Sequence, residues 1–239
     1  GRFVKSEKFN KPTPAEIAYW GGYFFYHNRL HRNYQDDISL HYYLLASKDG
    51  ITIGKRYFKH ENNKEDYPFS PSGHNLYDNN SKLYYCRDFD NIVYQIHEDS
   101  VVPRFRINLP NPLPASMIEG RPNEMSLLRS GYSLGITDIY EYGGLLFFRF
   151  VKDGYIWSCL YNVEESKQVY CAKRIKFLDS SLIDTIDGIY KDCFYSILTP
   201  EYLDYAFSEN PLEDYPDLFK TYDVEGDNPV IAFYRAVVR

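Results

Sequence analysis

Methionine and tryptophan are almost missing from this 239-residue chain, with two of each. Runs of about 18 apolar residues, the length a membrane-spanning helix needs, are absent altogether. No basic stretch followed by an apolar one opens the chain; it begins Gly1-Arg2-Phe3-Val4, which reads as a processed end from which any export signal has been removed. Blocks of positive charge are lacking as well: 27 Lys and Arg stand scattered against 33 Asp and Glu, for a net charge of −6. That balance excludes the phosphate-binding footprint of a nucleic-acid protein and a polybasic membrane patch. Cysteine is sparse, with four residues, no Cys-x-x-Cys pair and no histidine at metal spacing. The expectation is therefore buried free thiols at Cys86, Cys159, Cys171 and Cys193. Cys159 and Cys171 approach each other across a hairpin, but the expected register offsets them by one residue, against a disulfide. No catalytic signature and no cofactor site is visible.

What the chain has instead is aromatic surface: 25 Tyr and 16 Phe. Aromatic rings fit pleated strands, and Tyr keeps a polar tip that can reach water. With 44% hydrophobic and 25% charged residues, the composition suits one large all-β domain over residues 1–239. Most of these tyrosines are expected to pack between sheets, and a minority could serve as platforms for sugars or peptides.

The clearest unit runs from Lys82 to Ile96, where two apolar, Tyr-rich runs flank the turn Asp88-Phe89-Asp90-Asn91. Asp and Asn side chains can bond their own backbone there, and Asn91 is the residue expected to take positive φ. The same design recurs along the chain. A first meander comprises Ala15 to Trp20, Tyr23 to His27, Ser39 to Ala46 and Ile51 to Phe58. A second comprises His74 to Tyr77, Leu83 to Arg87, Ile92 to His97 and Val101 to Leu109, with Pro103 marking its last strand as an outer edge. A third runs through Ser133 to Tyr140, Leu145 to Val151, Tyr155 to Val163 and Gln168 to Phe177. A fourth takes Leu182 to Ile186, Ile189 to Leu198 and Pro229 to Val238. Thr199-Pro200-Glu201 supplies an N-cap, an N1 proline and an early acid, which predicts a short helix over 201–208. A second helical turn is expected near Tyr215 to Thr221, and Phe3 to Phe9 reads as one further strand. Pro110 to Ser130, with four prolines and a helical turn after Asn123, reads as a long inserted loop.

Aromatic strands that begin about 61 residues apart are what radial repetition predicts: a β-propeller-like array of about four antiparallel four-stranded blades. A single β-sandwich is the alternative, and it leaves that spacing unexplained.

The segments Tyr67 to Ser70, Leu83 to Ile96 and Ser100 to Phe105, with the ending Asn228 to Tyr234, resemble the six-bladed β-propeller proteins of Bacteroides-type bacteria. The resemblance spans most of Tyr19 to Val238 and rests on strand and turn consensus rather than on site residues. It implies an exported protein, periplasmic or an outer-surface lipoprotein after signal removal. Four units stand where that family has six, and its usual Gly-Pro-Gly stretch is missing. A C-terminal portion or a shortened member is thus expected, and its open blade edges imply either self-association or closure as a small four-bladed ring.

Several clusters invite a chemical role. Asp88 and Asp90 with Asn91 resemble the start of a calcium loop but lack its glycine and distal glutamate, and hairpin chemistry accounts for them equally well. Glu65-Asp66-Tyr67-Pro68 recurs as Glu213-Asp214-Tyr215-Pro216, a pair of acidic loops. Arg121, Arg129 and Arg149 with Tyr132 and Trp157 could offer guanidinium and ring contacts to an acidic or sugar ligand. An enzyme would need several of His74, Asp88, Asp90, Glu141 and Arg149 to converge. The reading of function is a non-catalytic binding or scaffold propeller for a glycan, peptide or protein partner. The alternative is a hydrolase or lyase acting on glycans or peptides.

Overall fold

The computed structural model describes residues 14–28, 41–60, 73–119, 123–173, 175–177, 180–183, 186–209, 222–223, 226 and 228–235. Phe3 to Phe9, both Glu-Asp-Tyr-Pro repeats and the turn expected near Tyr215 lie outside them.

Three consecutive four-stranded antiparallel sheets fill most of the chain. The first holds β1 (Glu16–Trp20), β2 (Tyr23–His27), β3 (Tyr42–Ser47) and β4 (Lys55–Lys59) in sequence order. The second holds β5 (Leu76–Asp78), β6 (Leu83–Cys86), β7 (Ile92–Ile96) and β8 (Val101–Arg106). Two single-turn helices, α1 (Ala115–Glu119) and α2 (Glu124–Leu128), follow, the latter capped by the Asn123 side chain on the Ser126 N–H. The third sheet holds β9 (Ser133–Tyr142), β10 (Leu145–Lys152), β11 (Tyr155–Asn162) and β12 (Lys167–Ala172). A two-stranded hairpin, β13 (Ile175–Phe177) with β14 (Ser180–Ile183), then leads to a last sheet of β15 (Gly188–Tyr190), β16 (Cys193–Leu198) and β17 (Val230–Tyr234). Helix α3 (Pro200–Glu209) stands between β16 and β17, and the Thr199 hydroxyl accepts the Tyr202 N–H at its start.

These are propeller blades rather than one sandwich, because the sheets stack in series. First strands meet in chain order, β1 with β5, β5 with β9 and β9 with β15. Strand β6 shows why the sequence permits this. All four of its residues are buried: Leu83 and Tyr85 pack with Phe25 and Leu44 of the first blade, and Tyr84 and Cys86 with Ile136 and Phe148 of the third. The period of two sends alternate side chains to opposite faces, and neighbouring blades cover both. Burying rings such as Tyr84 and Tyr85 stabilises the stack by roughly 1.5–3 kcal/mol each.

Polar side chains join the blades along their first strands. The Glu16 carboxylate accepts the N–H groups of Asn75 and Leu76 at 2.6 and 3.0 Å. Asn79 donates to the Ile139 carbonyl and accepts the Glu141 N–H. Each side chain takes the place of a strand neighbour that the next blade lacks.

Four expectations need correction. The fourth unit divides differently: the run Ile189 to Leu198 breaks at Lys191, which adopts φ +52° with no Gly or Asn to announce the turn, so that β15 and β16 join β17 in a three-stranded sheet among the described residues, while Leu182 and Ile183 belong to β14 of the separate hairpin. The Asp88 turn places Phe89, not Asn91, at positive φ (+60°). Its backbone lies so close to Gly135 that a Cβ there would meet the Phe89 Cα at 2.8 Å, and the contact requires glycine. Strand β4 starts at Lys55 rather than Ile51, since Ile53 folds over Tyr26 and Leu45. Finally, Cys159 and Cys171 stand directly opposite and form a disulfide. A bulge next to Leu160 removes the one-residue offset that an unbroken ladder back from the turn would give. Cys86 and Cys193 are free thiols.

Candidate functional site

A cavity of about 400 Å³ opens where the first strands of the second, third and fourth blades come together. Strand β5 and its turn contribute Tyr77, Asp78 and Asn80; β9 contributes Tyr140; the fourth blade contributes Asp187, Gly188 and Tyr195. His74 and the apolar Leu76 and Ile189 complete the wall.

Local bonds fix most of the polar wall residues. The Tyr77 hydroxyl donates to the His74 carbonyl, and His74 Nδ1 lies 3.4 Å from the Glu16 carboxylate. Asn80, at φ +61°, donates to the Lys191 carbonyl and so ties the second blade to the β15–β16 turn. The Tyr140 hydroxyl donates to the Asp187 carbonyl at 3.0 Å. Burial, reinforced by the Asp138 and Asp187 charges, pushes the Tyr140 phenol well above its usual range, so it stays a neutral donor. Asp187 is held at both ends: its N–H donates to the Tyr195 carbonyl, and its carboxylate accepts the Ile197 N–H at 2.7 Å. Gly188 is glycine for space, since a Cβ would sit 2.7 Å from the Tyr195 ring. Among the described residues the wall therefore carries two carboxylates, three phenols and an amide, and no Lys or Arg side chain.

The groups singled out from sequence go elsewhere. Arg121 lies outside the described residues. Arg129 is exposed at the C-cap of α2, and Tyr132 packs against Leu127, Leu134 and Val151. Arg149 is paired with Asp138 at 2.7 Å. Trp157 stacks on Phe150 with centroids 6.2 Å apart. Asp88 accepts the Asn75 amide, while Asp90 holds Arg87 and the N–H groups of Asn91 and Ile92, which is turn chemistry. Glu141 accepts Lys82 at 2.9 Å, Arg104 at 3.0 Å and the Tyr84 hydroxyl, and so clamps the second blade to the third. Of the five residues among which an enzyme would need several to converge, only His74 lines the cavity. His27 sits 3.2 Å from the Tyr85 hydroxyl and His60 against the Tyr43 ring. Among the described residues no group of three His, Cys, Asp or Glu is arranged for a metal ion.

Sequence reasoning passed over Asp78, Asn80 and Asp187 because Asp78-Asn79-Asn80 and Asp187-Gly188 read as turns. The available signal was position: both turns adjoin the first strand of a repeat unit, where a propeller turns its residues toward neighbouring blades.

Comparison with known proteins agrees with this architecture. The crystal structure of a candidate exported protein from Bacteroides fragilis superposes with a TM-score of 0.66 at 16% identity, covering 88% of this chain and 61% of that one. The likeness is one of fold, and the present chain spans less than two thirds of that protein's length. Curated proteins gave no match. The profile of the family described as 6-bladed beta-propeller matches residues 12–181, and with its stacked four-stranded blades the chain belongs to that 6-bladed beta-propeller family.

Proposed function

We propose that this chain is a non-catalytic binding or scaffold propeller acting outside the cytoplasm, with a glycan or peptide seated in the cavity between the second, third and fourth blades. The carrying observation is the cavity itself: concave, rigidly framed by first strands, and lined by tyrosines with a few fixed polar groups. The hydrolase or lyase alternative is less well supported, because Glu141, Asp90 and Arg149 are committed to structural partners. Export, to the periplasm or as an outer-surface lipoprotein, is supported by the exported candidate of similar fold. The Cys159–Cys171 disulfide also suits an oxidising compartment. The exposed Arg129 with Tyr132 beside α2 is a secondary contact surface in this reading. Self-association rests on the apolar faces of the first and last sheets: Ile17 and Tyr19 on β1, and Ile197, Ile231 and Phe233 on β16 and β17, are all exposed.

The test is a panel of glycan fragments and peptides read by thermal shift and by mass spectrometry of the recovered ligand. A bound ligand should raise the melting temperature and be recovered unchanged. The shift should disappear in Gly188→Ala, whose methyl group displaces the Tyr195 ring, and shrink in Asp78→Ala, which removes an exposed side chain and leaves the packing intact. Turnover abolished by replacing His74 or Asp187 would overturn the non-catalytic reading.

A further inference from the structure

We infer that the cavity takes a cationic side chain of a peptide, a Lys ammonium or an Arg guanidinium, with Asp78 as its ion-pair partner; this rests on the binding reading above and names the ligand class of the same site. Among the described residues the wall holds two carboxylates and no basic side chain apart from His74, which lies beside the Glu16 carboxylate. Asp187 uses a carboxylate oxygen on the Ile197 N–H. Asp78, at the end of β5, is exposed, and its carboxylate makes no hydrogen bond or ion pair among the described residues. A carboxylate on a concave wall with no cation of its own is completed by a ligand that brings one, and charge-assisted bonds are about twice as strong as neutral ones. Tyr77, Tyr140 and Tyr195 add ring surface, whose negative faces attract cations and not anions. A neutral sugar would use the rings and leave Asp78 without a counter-charge.

The backbone decides between a peptide and an amino sugar. Strands β5, β9 and β15 are each an edge of their sheet. Glu16 and Asn79 take up some of their outward N–H and C=O groups; the others have no strand partner among the described residues, and an extended peptide satisfies such groups while its side chain reaches the carboxylate.

The experiment is calorimetric titration of the full chain with acetyl-Gly-Lys-Gly-amide, the same peptide acetylated on the lysine side chain, acetyl-Gly-Gly-Gly-amide, glucosamine and cellobiose. The lysine peptide should bind, more weakly as salt rises. Its affinity should fall about tenfold or more on side-chain acetylation and in Asp78→Asn, and return toward the original value in Asp78→Glu. Equal binding of the acetylated peptide, an unchanged affinity in Asp78→Asn, or tighter binding of glucosamine would overturn the inference. Cellobiose or the triglycine peptide bound by the unaltered chain and lost in Gly188→Ala would refute the cationic class and keep the cavity as the binding site. Binding of none of the five probes would count against both.

Discussion

Glu141 shows how a residue that looks catalytic can be structural. Its side chain is 9% exposed and accepts from Lys82, Arg104 and Tyr84, three groups on the adjoining blade. Burial alone would raise its carboxyl, but the hydrogen bonds from Tyr84, Lys82 and Arg104 outweigh burial and hold it below the ordinary glutamate value. A carboxyl depressed in the folded state binds its proton more readily once unfolded. Its contribution is therefore complete above the unfolded value, near 4.5, and is lost as pH falls through the lower folded value. Glu141→Gln should cost about 2 kcal/mol at pH 7, where charge-assisted bonds become neutral ones. Urea melts of the two proteins should converge as pH drops below the unfolded value. A constant gap from pH 7 to pH 3 would show that ionisation of Glu141 contributes nothing.

At the scale of elements, the β11–β12 hairpin joins a long strand to an exposed edge, and the Cys159–Cys171 disulfide closes it over 12 residues. On chain-entropy grounds a loop of that size stabilises by about 3 kcal/mol at most. Reduction should therefore lower the melting temperature without unfolding the core, because the two thiols already stand opposite each other in the ladder and need no strand rearrangement. A Cys159→Ser/Cys171→Ser double variant should reproduce the reduced protein and be insensitive to dithiothreitol. An unreduced melting curve that matches the double variant would sink this account. The same hairpin shows where reading the sequence stops: its strands and turn were plain, yet the register depended on a bulge that no residue type announces. The β15–β16 turn repeats the lesson, since Lys191 at φ +52° interrupts what composition presents as one continuous strand.

For the whole molecule, stacking covers the inner strands of the second and third blades on both faces, but among the described residues it leaves Ile17 and Tyr19 of the first sheet and Ile197, Ile231 and Phe233 of the last sheet in water. Tyr19 is 65% exposed and Phe233 is 53% exposed, with Tyr190 and Tyr195 beside Phe233. Apolar sheet faces of this kind favour association. Light scattering of the chain across a dilution series should show a concentration-dependent rise above the monomer mass. Ile231→Lys/Phe233→Lys should restore the monomer while leaving the far-ultraviolet spectrum unchanged. A monomer at every concentration for the unaltered chain would contradict the proposed self-association.

Spacing and composition were enough for the blade pattern, the α3 cap at Thr199 and the turn chemistry of Asp90, because each is a local agreement between residue type and backbone preference. Asp49 is a further case: it gathers the N–H groups of Ile51 and Thr52 within four residues of sequence. The cavity could not be read in the same way. Asp78, Tyr140 and Asp187 belong to three blades, and each looks ordinary in its own turn or strand. They become neighbours only because alternating side chains of adjoining sheets interlock and bring the first strands together. The sequence thus determined the blades one at a time. Packing between blades decided which carboxylates serve as clamps, as Glu141 does, and which, like that of Asp78, carry no ion pair among the described residues.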